Sequence, residues 1–201
     1  MEKNRKKYFG GNEAYDYYPK LIKKITLSEK EKILDVGCGV GNLSKYLKGF
    51  NLYGCDFVKE FVEEARKKDY KEVKIADICN LPYKNKEFDK IICLGVFIYL
   101  ENPKKAIKEL MRVCKGNIII VNPNFNFASI KYMNSRKRWV TFINSIKNKE
   151  LFWTNKIYFV ELAEQCDLNL EIRYISRSWG FIRNLFGNLL ASEVVVVAFQ
   201  N

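Results

Sequence analysis

The segment Ile33–Gly41, which reads ILDVGCGVG, decides the fold of this chain. Its first four residues form a short apolar run that is typical of a β-strand, and three glycines follow at alternate positions. Glycine has no Cβ, so the backbone can turn tightly there and approach a ligand closely. Apolar side chains with helical spacing follow over residues 42–48. Strand, glycine turn and helix in this order predict a site for a nucleotide-like cofactor.

The spacing of the glycines separates two kinds of cofactor. A dinucleotide-binding turn, GxGxxG, would place its third glycine at position 42, but that residue is Asn42 and the third glycine is Gly41. Asp35 stands just before the turn, at the ligand end of the strand. A carboxylate there would repel a pyrophosphate and attract a cation. The sequence therefore favours a cationic ligand without phosphate.

Acidic residues end the next two predicted strands. Residues 51–55 form a second strand that ends at Asp56. The number of residues between Asp35 and Asp56 is typical of an acidic residue that contacts ribose hydroxyls. Residues 72–76 form a third strand that ends at Asp77. The fourth, 88–94, is nearly all apolar, as expected of a strand buried on both faces. These strands predict a parallel sheet with acids along one edge.

Together, these motifs resemble those of the class I methyltransferases that use S-adenosylmethionine, in the type 11 branch, firmly over residues 31–122 and loosely elsewhere. The resemblance implies a doubly wound, Rossmann-like α/β fold. Its seven-stranded sheet would have an antiparallel seventh strand, helices on both faces and inserted helices over the substrate side. It also implies a transfer of the cofactor's methyl group to an acceptor, with S-adenosylhomocysteine as the product.

The resemblance also assigns roles to individual residues. Asp56 would accept hydrogen bonds from the ribose hydroxyls, and Asp77 from the adenine amino group. The full set of cofactor-binding residues that it implies is Asp35, Gly37, Gly39, Gly41, Asp56, Phe57, Asp77, Ile78, Leu94 and Gly95. No catalytic residue is assigned.

The remaining elements follow from local signals. Asn102 and Pro103 are typical of a helix N-cap and first helical residue, and Gly116 is typical of a helix end. The resemblance extends to a helix before strand six. The predicted elements are a helix to about Cys114, strand five at 117–122, a helix within 154–167, strand six at 170–175 and strand seven at 193–199.

The length of the chain suits one domain. The resemblance implies one methyltransferase domain over 1–201, with an N-terminal helical cover (1–30), a cofactor-binding core (31–122) and a variable lid with strands six and seven (123–201). The chain lacks an apolar run long enough to span a bilayer, and its basic N-terminus lacks the apolar region of a secretion signal. Six cysteines stand singly, so we expect reduced thiols, no metal site and a cytoplasmic location. The oligomeric state stays open.

The chain contains no histidine, which excludes histidine-based catalysis and histidine metal ligands. Many small-molecule methyltransferases of the family carry histidine just after strand four, where this chain has Phe97 and Ile98. Tyr99 could replace it as a base, although a tyrosine at the start of a helix is more often a packing residue. A carboxylate or amine acceptor would require no strong base. The sequence therefore favours such an acceptor.

Positive charge is concentrated outside the predicted core. The net charge is +12, and residues 122–149 and 172–192 contain nine basic residues and no acid, together with many aromatic residues. These segments could simply pack on the core with solvated charges. They could instead cover a small-molecule or lipid-linked anionic acceptor, or contact an anionic membrane peripherally. Nucleic acid would suit the same residue types. An RNA methyltransferase and a non-catalytic cofactor-binding protein therefore remain the alternative functions.

Replacing Arg136, Lys137 and Arg138 together by Gln tests these alternatives. If they serve an anionic acceptor or lipid, cofactor affinity should be unchanged, while turnover or vesicle binding should fall most at low salt, where charges are least screened. Calorimetry and vesicle sedimentation across a salt series measure both quantities. If these three residues are only solvated surface charges, their replacement should change neither turnover nor vesicle binding. It should change the free energy of unfolding by no more than about 0.5 kcal/mol.

Overall fold

One mixed sheet organises the part of the chain that the computed structural model describes, namely residues 27–123, 156–166, 169–175 and 193–199. The sheet order is β3-β2-β1-β4-β5-β7-β6. Neighbouring strands from β3 to β5 pair in parallel, whereas β7 runs antiparallel to both β5 and β6. The strands are β1 (Lys32–Val36), β2 (Asn51–Asp56), β3 (Glu72–Ile75), β4 (Lys90–Leu94), β5 (Ile118–Pro123), β6 (Asn169–Ile175) and β7 (Glu193–Phe199).

The Rossmann-like α/β class predicted from the sequence is confirmed. The described helices are α1 (Lys59–Ala65), α2 (Pro103–Val113) and α3 (Lys156–Glu164). As predicted, Asn102 caps α2, and its side chain accepts a hydrogen bond from the Lys105 N–H at 3.1 Å. Residues 1–26 of the predicted N-terminal cover (1–30) lie outside the described residues, as do residues 124–155 and 176–192, where inserted helices were predicted. None of the described helices is long and apolar enough to cross a membrane.

Two local predictions were wrong. The helix expected over 42–48 is a short 3-10 helix, Asn42–Tyr46, in which the Ser44 hydroxyl donates to the Gly41 carbonyl at 2.9 Å. Such a side-chain bond competes with regular helical bonding, and a second turn at Gly49 ends the segment. Strand four begins at Lys90 rather than at Phe88, because Phe88 forms an isolated bridge with Cys114 instead.

The core lies on both faces of the sheet, because alternate side chains of a strand point to opposite sides. On one face, alternate residues of β1, β4 and β5 join apolar side chains of α2 and α3. On the other face, the intervening strand residues join Leu43 and Leu47 from the segment after the glycine turn. Each fully buried aliphatic or aromatic side chain contributes roughly 1.5–3 kcal/mol relative to exposure. This two-sided burial holds the carboxyl ends of the parallel strands at one edge.

In the sheet, β2 lies on one side of β1 and β4 lies on the other side, so the direction in which the chain adds strands reverses between β3 and β4. In open α/β sheets, ligands bind in the crevice outside the strand carboxyl ends at such a change of direction. Gly37 at the end of β1 and Gly95 at the end of β4 both have left-handed backbone angles there, with φ of 70°. The fold therefore places the glycine turn at the expected ligand crevice.

Candidate cofactor site

A cavity of about 770 Å³ opens at the carboxyl ends of β1 to β4. Eight of the ten residues predicted from the sequence line it: Gly37, Gly39, Asp56, Phe57, Asp77, Ile78, Leu94 and Gly95. Asp35 and Gly41 are not among its lining residues. The structure therefore brings together residues from four strand ends that are far apart in the sequence.

The glycine turn is fixed against the neighbouring strand by its own backbone. The N–H groups of Gly37 and Cys38 both donate to the Cys55 carbonyl of β2, at 2.8 and 3.0 Å. A Cβ on Gly37 would lie 2.3 Å from a methyl carbon of Val96, in addition to the strain of its positive φ. The cavity is thus shaped by a turn that tolerates no side chain at this position.

Gly41 has a packing role in this structure. Its φ is 77°, and a Cβ there would lie 3.0 Å from the Tyr70 ring and 3.1 Å from Ala65 of α1. Its missing side chain therefore allows α1 and Tyr70 to approach the turn closely. Its part in cofactor binding stays a prediction, since Gly41 does not line the cavity.

Asp56 links the glycine turn to the end of β2. One carboxylate oxygen accepts from the Gly39 N–H, and the other accepts from the Val58 N–H, both at 2.9 Å. These two bonds orient the carboxylate, and a carboxylate oxygen can accept more than one hydrogen bond. It lines the cavity and fits the pair of ribose hydroxyls that the sequence assigned to it.

Asp77 and Phe57 form another part of the cavity wall. The Asp77 carboxylate accepts from the Cys79 N–H at 2.8 Å, which fixes one of its oxygens in the turn after β3. Phe57 is 66% exposed, although aromatic side chains of this size are usually well covered. An exposed aromatic ring beside two cavity-lining carboxylates fits a flat, polar-edged group such as a purine.

Asp35 differs most from its predicted environment. The sequence placed it at the ligand end of the strand, but it is only 2% exposed and lies outside the cavity lining. Its carboxylate accepts a 2.6 Å hydrogen bond from the Tyr70 hydroxyl. Burial raises the pKa of Asp35 to about 7, the Tyr70 hydrogen bond opposes this, and nearby Asp56 adds to it. This acid therefore holds its proton at higher pH than an exposed aspartate does.

Several residues of the site carried no clear sequence signal. Phe61, Val96, Glu101 and Lys105 line the cavity, and Tyr70 supports it from outside. They lie on turns and helix starts whose positions depend on packing, and only the cap at Asn102 hinted at one of these turns. Within the described residues, no group of three or more acidic or cysteine side chains is arranged to hold a metal ion.

The thiols beside the cavity are weakly acidic. Burial raises the pKa of Cys55 to about 12 and also raises that of Cys79. Both thiols therefore remain protonated near neutral pH, and a thiol is a much weaker nucleophile and base than a thiolate. These cysteines act as small apolar wall residues.

Asp35→Asn should stabilise the ligand-free protein more at pH 8 than at pH 5. The folded-state pKa of Asp35 lies above that of an unfolded chain, so the cost of its buried charge is absent at low pH and complete above pH 7. The effect of Asp35→Asn on the free energy of unfolding should therefore differ by roughly 2–3 kcal/mol between pH 5 and pH 8. Denaturant unfolding at both pH values measures it.

Asp89→Asn is the matched control for this change. The Lys32 N–H and the Lys115 ammonium hold the pKa of Asp89 below its usual range, so it is ionised at both pH values. Its replacement should destabilise the protein equally at pH 5 and pH 8. If Asp35→Asn also changed the free energy of unfolding by the same amount at pH 5 and pH 8, this result would contradict the raised pKa of Asp35.

Comparison with known proteins agrees with this site. Residues 34–121 match the sequence model of the family described as Methyltransferase domain. An uncharacterized protein of Methanocaldococcus jannaschii is 32% identical over 120 residues, which cover 58% of this chain and 47% of that protein. A tRNA (carboxymethyluridine(34)-5-O)-methyltransferase of Arabidopsis thaliana is 39% identical over 97 residues, covering 44% of this chain and 23% of that protein. The chain thus spans less than half the length of these relatives.

A solved structure supports the fold. The magnesium protoporphyrin IX methyltransferase of Synechocystis with bound S-adenosylhomocysteine superposes with a TM-score of 0.62, at 18% identity, over 92% of this chain and 80% of that one. The family match begins within β1 and ends within β5, so it includes the carboxyl ends of β1 to β4 that line the cavity. Over residues 34–121, which contain most of the strand ends that line the cavity, the chain is therefore similar to the methyltransferase domain family.

Proposed function

We propose that this chain transfers a methyl group to the carboxylate oxygen of a small-molecule or lipid-linked anionic acceptor. The observation that carries this proposal concerns two kinds of candidate base: the chain has no histidine, and the two thiols that line the cavity within the described residues are protonated. A carboxylate acceptor is already ionised near neutral pH, so no proton has to be removed before it reacts.

The cavity supports a specific arrangement of the cofactor. Asp56 would hold the ribose hydroxyls, Asp77 the adenine amino group, and Phe57 the face of the adenine ring. The backbone of Gly37 and Gly39 would contact the remaining part of the cofactor, because neither residue has a Cβ to block its approach. When bound, S-adenosylmethionine supplies a methyl group on a sulfonium, so the acceptor oxygen–carbon bond forms as the sulfur–carbon bond breaks and its electron pair stays on sulfur.

The protein itself would contribute mainly by positioning the two reactants and by excluding water from them. Val36, Leu94 and Val96 supply apolar wall beside the glycine turn, and backbone hydrogen bonds fix that turn. Holding two reactants in a productive geometry can lower a barrier by roughly 7–11 kcal/mol. This contribution needs no general base. Tyr99 also lines the cavity, and we assign it to the wall rather than to proton transfer.

The charge distribution supports an anionic acceptor. Most of the excess of basic over acidic residues falls in segments 122–149 and 172–192, which follow β5 and β6 in the chain. We propose that residues 1–201 act as one domain in which these segments adjoin the acceptor. They would provide attraction for an anion, and a peripheral contact with anionic lipid is the corresponding proposal for a lipid-linked acceptor.

A tRNA acceptor is the second candidate. The relative from Arabidopsis is named for methylation of a carboxymethyluridine in tRNA, and the name itself indicates a carboxyl-bearing group. The same reasoning about an ionised carboxylate would apply to such a nucleotide. This candidate differs from the first in the molecule that carries the carboxylate, and nuclease treatment separates the two.

A labelled-methyl assay tests the proposed acceptor. The purified chain is incubated with isotope-labelled S-adenosylmethionine and with separate fractions of small metabolites, lipids and tRNA. A methyl ester releases its label as methanol in mild alkali, whereas methylated nitrogen, carbon or ether oxygen does not. We expect alkali-labile, nuclease-resistant label. Alkali-stable label would contradict carboxylate methylation, and nuclease-sensitive label would favour tRNA.

Asp56→Ala should weaken binding of S-adenosylmethionine and S-adenosylhomocysteine alike. The change removes the ribose acceptors and also the bonds that fix the glycine turn, and bonds to a charged group contribute roughly 1.5–3 kcal/mol each. We expect a loss of affinity of at least tenfold by calorimetry. NAD should not bind the unmodified protein. Unchanged affinity in the variant would remove Asp56 from the site.

A further inference from the structure

Tyr70 connects three parts of the site although it does not line the cavity. It lies between α1 and β3, and its hydroxyl donates to the Asp35 carboxylate at 2.6 Å. Its ring also packs against Gly41 after the turn and Gly54 of β2, at positions where a Cβ on either glycine would lie 3.0 Å from the ring. One side chain thus supports the glycine turn, the strand beside it and the buried acid beneath it.

The surroundings of Asp35 disfavour its charge. It interacts electrostatically with Cys38 of the turn, Cys55 and Asp56 of β2, and Cys93 of β4. Burial raises the pKa of all three thiols, so they are neutral, and Asp56 is a second carboxyl. Among the groups that influence Asp35, the Tyr70 hydroxyl favours the ionised form. A hydrogen bond to a carboxylate is stronger than one to a neutral acid.

We propose that Tyr70 is a positioning residue for the cofactor, whose hydroxyl orients the Asp35 carboxyl group beneath the glycine turn and favours its ionised form. The ionised carboxylate attracts the ammonium group that S-adenosylmethionine and S-adenosylhomocysteine share. Because burial weakens screening by water, this attraction acts without direct exposure of Asp35 to the cavity. The inference rests on the placement of the cofactor in the cavity described above.

This role predicts a particular pH dependence. A cation binds better when Asp35 is ionised, so affinity should rise as the pH passes through about 7. Removing the Tyr70 hydroxyl removes a bond that favours ionisation and moves the pKa of Asp35 upward. The loss of cofactor affinity caused by removing the hydroxyl should therefore be large below neutral pH and should become smaller as the pH rises. A tyrosine that only packs would have the same cost at every pH.

Tyr70→Phe tests the proposal, with calorimetric affinity for S-adenosylhomocysteine measured between pH 6.0 and 8.5. The readout is the ratio of variant to wild-type dissociation constants, in which titration of the ligand's own amino group cancels. We expect roughly tenfold weaker binding at pH 6.0 and a ratio approaching one at pH 8.5, equivalent to a shift of about one pH unit. Tyr83→Phe is the matched control, because its hydroxyl donates to the Gly54 carbonyl at 3.4 Å instead. Its ratio should be flat.

A ratio for Tyr70→Phe that is flat with pH, whether or not affinity is lost, would overturn the proposal. A second measurement covers the case in which this variant does not fold. At pH 6.5, wild-type protein should release roughly half a proton or more on binding the ligand, measured in buffers of different ionisation enthalpy. No release would also overturn the role of Tyr70. Failure of wild-type protein to bind the ligand at any pH would instead refute the cofactor site.

Discussion

The site depends on how the end of β1 is attached to β2. Two consecutive N–H groups, from Gly37 and Cys38, share the Cys55 carbonyl, and the Gly39 N–H binds the Asp56 carboxylate. These bonds fold the chain back sharply above the sheet and leave a concave surface lined by backbone. The apolar packing on both faces then holds β1, β2 and β4 in register, so that their ends form one wall.

Buried polar groups near this edge oppose stability. Asp35 is buried with a carboxyl group that water would stabilise as an anion, and its raised pKa records that cost. Asn122, at the end of β5, is fully buried, and neither of its side-chain polar atoms has a partner recorded within the described part of the chain. An unsatisfied buried polar group typically costs about 1–3 kcal/mol. Strands otherwise filled with isoleucine, leucine and valine tolerate these costs at the edge where ligands bind.

The cavity and the chemistry of methyl transfer are consistent with each other. The reaction needs an oriented cofactor, an acceptor that is already nucleophilic, and thiols nearby that do not compete with that acceptor. The cavity offers oriented carboxylates at Asp56 and Asp77 and thiols that stay protonated at Cys55 and Cys79. A carboxylate acceptor supplies the nucleophile itself. The lack of histidine in the chain is therefore compatible with catalysis.

The sequence by itself determined the fold class and the strand order along the chain, because strand periodicity and glycine spacing are local properties. The resemblance that these motifs carry also named eight residues that line the cavity. Local signals did not reveal that residues 42–46 form a 3-10 helix, where a serine bond competes with helical bonding. Only the tertiary structure decided that Asp35 is buried and that Gly41 packs against Tyr70. Tyr70 and Asp35 stand 35 residues apart, and only the pairing of β1, β2 and β3 brings them within hydrogen-bonding distance.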